Sequence, residues 1–283
     1  MYYHTKSLLG RRDKNEDEIS IILNYDGNDT SIKKMNFFAV FDGHGGPDIS
    51  KYVADKMYRF FVTKYTRNID FNKKSAINRY IIDVFNQLQS RIEQFKRISE
   101  SCGTTALVVM QLPDRNGVFC KLKIINLGDC RAVLCTNDNI ANPLTRDHKP
   151  MNYDENNRIR KLDTEIVHDK DDDPRVNGYS VSRALGDVSA KPGISHIPDI
   201  FDYRLSVSRG KITDKFLILA CDGVWDVLSN QEAVDFVLFK LKENHSKENQ
   251  NTSSNKNIAY DLAKYAIDKD SGDNISIIIV FFN

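Results

Sequence analysis

Short, wholly apolar runs and stretches of helical periodicity take turns along this chain. The apolar runs predict strands over Glu18–Leu23, Met35–Phe41, Thr104–Met110, Val118–Asn126, Ala132–Thr136, Phe216–Ala220 and Asn274–Phe282, several of them buried on both faces. Apolar positions three and four apart predict helices over Pro47–Lys64, Lys74–Ile98, Gln231–Lys242 and Lys256–Ile267. In the second of these, Ile77, Ile81, Val84, Phe85, Leu88, Ile92 and Phe95 form one stripe. Helices come as two adjacent pairs and strands in consecutive groups. That grouping predicts a layered α+β fold rather than the strict alternation of a doubly wound sheet. No shift of composition divides the chain, so one domain over residues 1–283 is expected.

Two polar stretches interrupt the pattern. Residues 243–255 contain no apolar side chain and read as a flexible connector between the last two helices. Asp169, Asp171 and Asp173 have the spacing of a calcium loop. Pro174, however, stands where the turn needs Gly, and Ser180 where a bidentate Glu is needed, so a solvated acidic loop is expected instead.

Composition narrows the function by exclusion. Among 283 residues, 40 Lys and Arg face 39 Asp and Glu, and a net charge of +1 gives no basic excess for nucleic acid or a membrane surface. No apolar run approaches the roughly 20 residues of a membrane span. The first residues lack an apolar signal region, and Tyr2 does not fit the myristoylation pattern. Five cysteines without paired spacing suit a reducing interior, so the expected location is the cytoplasm, with the nucleus open as well. A thiol phosphatase needs Arg six positions after its Cys. Here those positions hold Val108, Asn126, Thr136, Ala141 and Val227. Metalloprotease, P-loop and nucleophile-elbow strings do not occur.

What remains is a set of acidic residues where strands begin or end. Glu16-Asp17 opens the first predicted strand, Asp42-Gly43 closes the second, and Gly128-Asp129, Asp222-Gly223 and Gly272-Asp273 flank three others. Any one Asp beside Gly is ordinarily a turn, since Asp caps its own backbone and Gly supplies positive φ. Five such sites against apolar strands also fit converging carboxylates. These would repel one another unless cations neutralised them, and oxygen-only ligands select hard ions such as Mg²⁺ or Mn²⁺.

Eight strings carry a resemblance that covers nearly the whole chain. They are Gly10-Arg11-Arg12-Asp13-Lys14-Asn15-Glu16-Asp17, Phe38-Ala39-Val40-Phe41-Asp42-Gly43-His44-Gly45-Gly46, Ser101-Cys102-Gly103-Thr104-Thr105-Ala106, Asn126-Leu127-Gly128-Asp129-Cys130-Arg131, Leu144-Thr145-Arg146-Asp147-His148-Lys149-Pro150, Val181-Ser182-Arg183-Ala184-Leu185-Gly186-Asp187, Ala220-Cys221-Asp222-Gly223-Val224-Trp225-Asp226 and Gly272-Asp273-Asn274. In this order they resemble the catalytic domain of the metal-dependent protein phosphatases of the 2C type. The resemblance implies a four-layer α-β-β-α sandwich, with two antiparallel sheets flanked by pairs of antiparallel helices and a flap beside the active site, at about residues 156–195 here. It implies hydrolysis of phosphoserine and phosphothreonine in protein substrates by a hydroxide bridging two Mn²⁺ or Mg²⁺ ions, without a phosphoenzyme. A weaker third ion, a monomer, and no nucleic-acid or membrane partner belong to the same expectation.

Carried over by position, Asp42 would bridge both ions, with Asp222 and Asp273 on one. Glu16 and the carbonyl of Gly43 would serve the other, and Asp17 would act through water. Asp129, Asp222 and Asp226 match the third site, and Arg12 matches the arginine that grips the substrate phosphate. His44, beside a metal carboxylate, would protonate the leaving alkoxide, although a His in a Gly-rich turn is by itself more often structural. His148 is expected to pack or hydrogen-bond near the sheet, Arg183 and Asp187 to support structure, and Trp225 to lie in the core. Arg11, Arg131 and Arg146 read as surface or ion-pair residues.

The pattern departs from the family in one region. A Gly-Gly pair is replaced around Lys161-Leu162-Asp163-Thr164-Glu165, and the stretch from Arg175 to Arg183 is one residue shorter than usual, so flap shape is open. A binding module that had lost catalysis would lack Arg12, Asp42, Asp222 or Asp273, and all four are present. A phosphatase for small phosphorylated molecules is separated only by a substrate panel.

Overall fold

The computed structural model describes residues 1–26, 34–63, 73–168, 173–248 and 257–282. Ten strands build two sheets. They are β1 (Tyr2–Leu8), β2 (Glu18–Asp26), β3 (Lys34–Phe41), β4 (Ala106–Leu112), β5 (Lys121–Leu127), β6 (Arg131–Cys135), β7 (Ala141–Pro143), β8 (Asp199–Arg204), β9 (Phe216–Ala220) and β10 (Ile275–Phe281). One sheet runs β1-β10-β9-β6-β7 and the other β8-β5-β4-β3-β2, with every neighbouring pair antiparallel.

Alternation along the strands then sets the layers, because successive side chains point to opposite faces. On β3, Phe38 and Val40 enter a cluster with Ile278 and Val280 of β10, which is the core between the sheets. Phe37, Ala39 and Phe41 face the other way, onto helices α1 (Asp48–Thr63) and α2 (Lys74–Ile92). On β10, Ile277, Ile279 and Phe281 likewise meet α3 (Asn230–Glu248) and α4 (Ile258–Asp268). Buried Ile49, Val53, Met57 and Phe61 give α1 its inward stripe. The three stacked clusters therefore order the molecule as helices, sheet, sheet, helices. Among the described residues no helix is long and apolar enough to cross a membrane.

Several elements differ from the sequence expectation. β1 and β8 are edge strands with no fully buried residue and with polar residues among the apolar ones, so neither shows an apolar run. The predicted second helix stops as an α-helix at Ile92. A 3₁₀ turn follows, and Lys96 at φ 49° breaks the path before a short helix over Arg97–Ser101. Phe95 accordingly leaves the α2 stripe and packs edge-on against Tyr52 at 4.8 Å. The expected connector over 243–255 begins as helix instead, since α3 continues to Glu248. Its Glu and Lys residues favour helix, no Gly or Pro interrupts it, and Lys240 pairs with Glu243 one turn on, so lack of apolar residues did not end the helix. The rest of that stretch, with Asp169 and Asp171, lies outside the described residues. Within the expected flap, an unpredicted helix (Tyr153–Arg160) and the paired segments Ile166–Val167 and Arg175–Val176 form around their own small core of Ile159, Val176, Ala184, Ala190 and Ile194.

Register decides what lies at each end of the sheets. Glu18 pairs with Phe41, Ala106 with Leu127, and Ala220 with both Arg131 and Ile277. Within each sheet, the acid-bearing termini thus share one end.

Candidate active site

At that end the carboxylates converge. Single oxygens of Asp42, Asp129 and Asp222 lie within 4.8 Å of one another, and Asp42 also falls in a second such group with Asp17 and Cys221. Asp42 is common to both. The backbone fixes it where β3 ends: its N–H donates to Thr105 Oγ1 (3.1 Å) and its carbonyl accepts from Thr105 N (2.8 Å). Asp129 sits in the tight link from β5 to β6, where Gly128 takes φ 106°. Asp222 starts a one-turn helix, Asp222–Trp225, directly after β9. These side chains floor a cleft of about 620 Å³ whose walls include Arg12, Glu16, His44 and Asp273.

Electrostatics make the cluster costly as it stands. Burial, then the charges of Asp222, Asp17, Asp129 and Asp273, push the Asp42 carboxyl well above its ordinary range. Burial, then Asp129, Asp226 and Asp273, does the same to Asp222. Burial raises Asp17 to about 6. Asp129 is raised by burial too, with Lys149 opposing. Lys149 Nζ lies 3.4 Å from Asp129 and 3.6 Å from Asp226, so one ammonium faces several acids.

Buried oxygens of Asp17, Asp129 and Asp222 receive no hydrogen bond, a costly state for interior carboxylates. Cys221 Sγ accepts from Ser276 N and faces the Asn274 carbonyl, while burial pushes its thiol well up, so it keeps its proton and leaves an oxygen donor set. Such a set fits hard divalent cations.

The remaining expected residues are arranged around this floor. Arg12, 60% exposed on the rim, donates to Asp273 Oδ2 at 2.8 Å. Glu16 lines the cleft without entering either close group. Gly43 must be glycine, because a Cβ would lie 2.2 Å from the Glu16 carbonyl. Asp226 is 55% exposed and meets the cluster through Lys149. His44 Nε2 is 2.7 Å from Asp187 Oδ2, and Asp187 is fully buried. Gly128 N donates to His148 Nδ1, so that ring is neutral at Nδ1 and turns Nε2 toward Asp199 at 3.2 Å. His148 therefore braces the Asp129 turn. Arg183 pairs with Glu155 and Asp199, Arg131 pairs with Asp147 under the Trp225 ring, and Trp225 is buried with its indole N–H on the Ala220 carbonyl.

Three residues carry more than the sequence indicated. Asn274 donates to the carbonyls of Leu9 and Lys14 and accepts from Glu16 N, stapling the loop that bears Arg12 and Glu16. Asp187 aims His44, and Lys149 tempers the acid cluster. Their presence in the quoted strings was the available signal; their roles need contacts across the fold.

Comparison with known proteins agrees with this geometry. The profile described as Protein phosphatase 2C matches residues 2–275. Human Protein phosphatase 1A is 30% identical over 99% of this chain and 70% of its own length. A PP2C-like domain-containing protein of Acanthamoeba polyphaga mimivirus is 43% identical over 57% of this chain and 94% of its own. The solved structure of serine-threonine phosphatase 2C from Toxoplasma gondii superposes with a TM-score of 0.75 at 21% identity, covering 99% of this chain and 94% of that one. A C. elegans sex determining protein gives 0.78 at 24% identity; all of this chain is covered, yet it spans only 65% of that protein.

Proposed function

The chain belongs to the protein phosphatase 2C family, and from that premise we propose that its cleft hydrolyses phosphoserine and phosphothreonine esters of proteins with two bound Mn²⁺ or Mg²⁺ ions. The observation that carries this reading is the pair of close groups that share Asp42, one with Asp129 and Asp222 and one with Asp17 and Cys221, with buried carboxylate oxygens that receive no hydrogen bond. When bound, two such ions would polarise the phosphoryl oxygens and acidify an attacking water. Asp42 would be held in common, with Asp129, Asp222 and Asp273 toward one side and Asp17, Glu16 and the Gly43 carbonyl toward the other. A third ion near Asp129, Asp222 and Asp226 would have to displace the Lys149 ammonium. Arg12 can leave Asp273 for the phosphate, since its exposed fork has room to turn. His44, held by Asp187, hands a proton to the departing serine or threonine oxygen. Five buried free thiols support a reducing compartment such as the cytoplasm.

The direct test is chelation. Turnover of a phosphothreonine peptide should fall to background in EDTA and return with Mn²⁺ or Mg²⁺, while calorimetry counts two ions per chain. Turnover that survives exhaustive chelation would overturn the reading.

Arg12 gives a separate expectation. Hydrogen bonds to charged groups contribute about 1.5–3 kcal/mol, so Arg12→Ala should cost roughly 10–100-fold in kcat/KM, mainly through KM. Initial-rate kinetics at saturating Mn²⁺ check this. If the variant instead loses Mn²⁺ affinity with KM unchanged, Arg12 serves Asp273 rather than the phosphate.

A further inference from the structure

The flap reaches the active site through one side chain. Val176 and Tyr179 exchange backbone hydrogen bonds (2.9 and 3.0 Å) across Asn177-Gly178, which take φ 52° and 89°. That is the two-residue turn Asn-Gly favours. Asn177 Nδ2 then donates to the Ala190 carbonyl at 2.8 Å, fastening the turn to the 3₁₀ segment Val188–Ala190 that follows Asp187. Val176 and Ala190 share the flap core, with Tyr179 packed against it. The place of Tyr179 relative to Asp187 is thus set by packing and by a directed hydrogen bond.

From there Tyr179 meets both members of the His44–Asp187 pair. Its ring lies edge-on to the His44 ring, with centroids 5.4 Å apart at 63°. Its hydroxyl is turned toward the Asp187 carboxylate; burial and that charge raise the phenol to about 12, so it keeps its proton. Asp187 needs such a neighbour. It is fully buried in a left-handed conformation (φ 45°), with Oδ2 on His44 and Oδ1 without a hydrogen bond.

We propose that Tyr179 is a positioning residue for proton transfer: from the flap, it holds the Asp187–His44 pair in the orientation that presents the His44 proton to the leaving oxygen. This rests on the reading of His44 as the acid. A tyrosine that merely filled the flap core would disturb all substrates alike. One that acts through His44 matters most where the leaving group needs a proton.

The test compares Tyr179→Phe and Tyr179→Leu, each in the native and the His44→Gln background, at saturating Mn²⁺. Substrates are a phosphothreonine peptide and p-nitrophenyl phosphate, whose phenolate leaves with little help. With the hydroxyl beside the Asp187 charge gone, Tyr179→Phe should lower peptide kcat roughly tenfold and aryl phosphate kcat much less. Tyr179→Leu, which also removes the ring edge, should cost the peptide more. In His44→Gln neither change should add a further selective loss. Equal losses on both substrates, or the full Tyr179→Phe loss persisting in His44→Gln, would overturn the proposal alone. If His44→Gln is itself unselective, the acid reading fails and this proposal with it.

Discussion

Asp42→Asn is expected to abolish phosphatase activity and, at the same time, to make the cation-free protein more stable. Asp42 is common to both close groups, so losing its charge removes the shared anchor. Groups that act as a unit fail together, and a loss of at least roughly 10³-fold is expected. Stability moves the other way because the carboxyl lies on the cleft floor among other acids, and desolvation foremost pushes its pKa well above 3.8. The unfolded chain ionises near that ordinary value, while the fold favours the protonated form. Stability from this group is therefore complete below about pH 4 and is lost as pH rises through the folded pKa. For Asp17 the corresponding window runs from about 4 to about 6.

Asparagine keeps the shape and carries no charge, so it removes the penalty above that window. A gain of about 1–3 kcal/mol at pH 8 would raise Tm by roughly 2–5 °C for a chain of this size. Thermal melts in EDTA at pH 5 and pH 8 check this. The native protein should melt higher at pH 5, the variant should narrow that gap, and Mn²⁺ should raise Tm at pH 8 in the native protein far more than in the variant. A variant that melts lower than native at pH 8 without cations would mean that the acid cluster is not strained.

How much of this could be read from the chain depended on whether a feature is local. β3, β9 and β10 announce themselves because both faces are buried, so nearly every position is apolar, with Lys34, Asn36 and Ser276 the exceptions. β1 and β8 are half polar at sheet edges, and only their pairing with β10 and β5 makes them strands. The acids at strand ends were legible as residues, since each abuts an apolar run. Their convergence was not, because it depends on antiparallel register and on the packing of one sheet over the other. His44 and Asp187 are 143 positions apart, and nothing near either one points to the other. Tyr179 lies in the stretch that departs from the family spacing, so the resemblance was silent at that position.

His44→Gln should damage turnover of a phosphothreonine peptide far more than turnover of p-nitrophenyl phosphate. The peptide expels an alkoxide, a strong base that must gain its proton as the bond breaks; the aryl ester expels a stabilised phenolate. A general acid contributes ~10²–10⁴-fold, and that factor should appear on the first substrate and largely vanish on the second. The geometry supports an acid rather than a structural histidine: the ring lines the cleft beside Asp42, with Nε2 held 2.7 Å from a fully buried carboxylate. Asp187 cannot turn away to water, so it fixes the ring. Gln retains a donor of similar reach but cannot supply a proton at neutral pH. Kinetics at saturating Mn²⁺, with cation binding measured on the same variant, separate the two roles. Parallel losses on both substrates with normal cation binding would show that His44 only shapes the Gly43–Gly46 loop, and that the proton reaches the leaving oxygen from water.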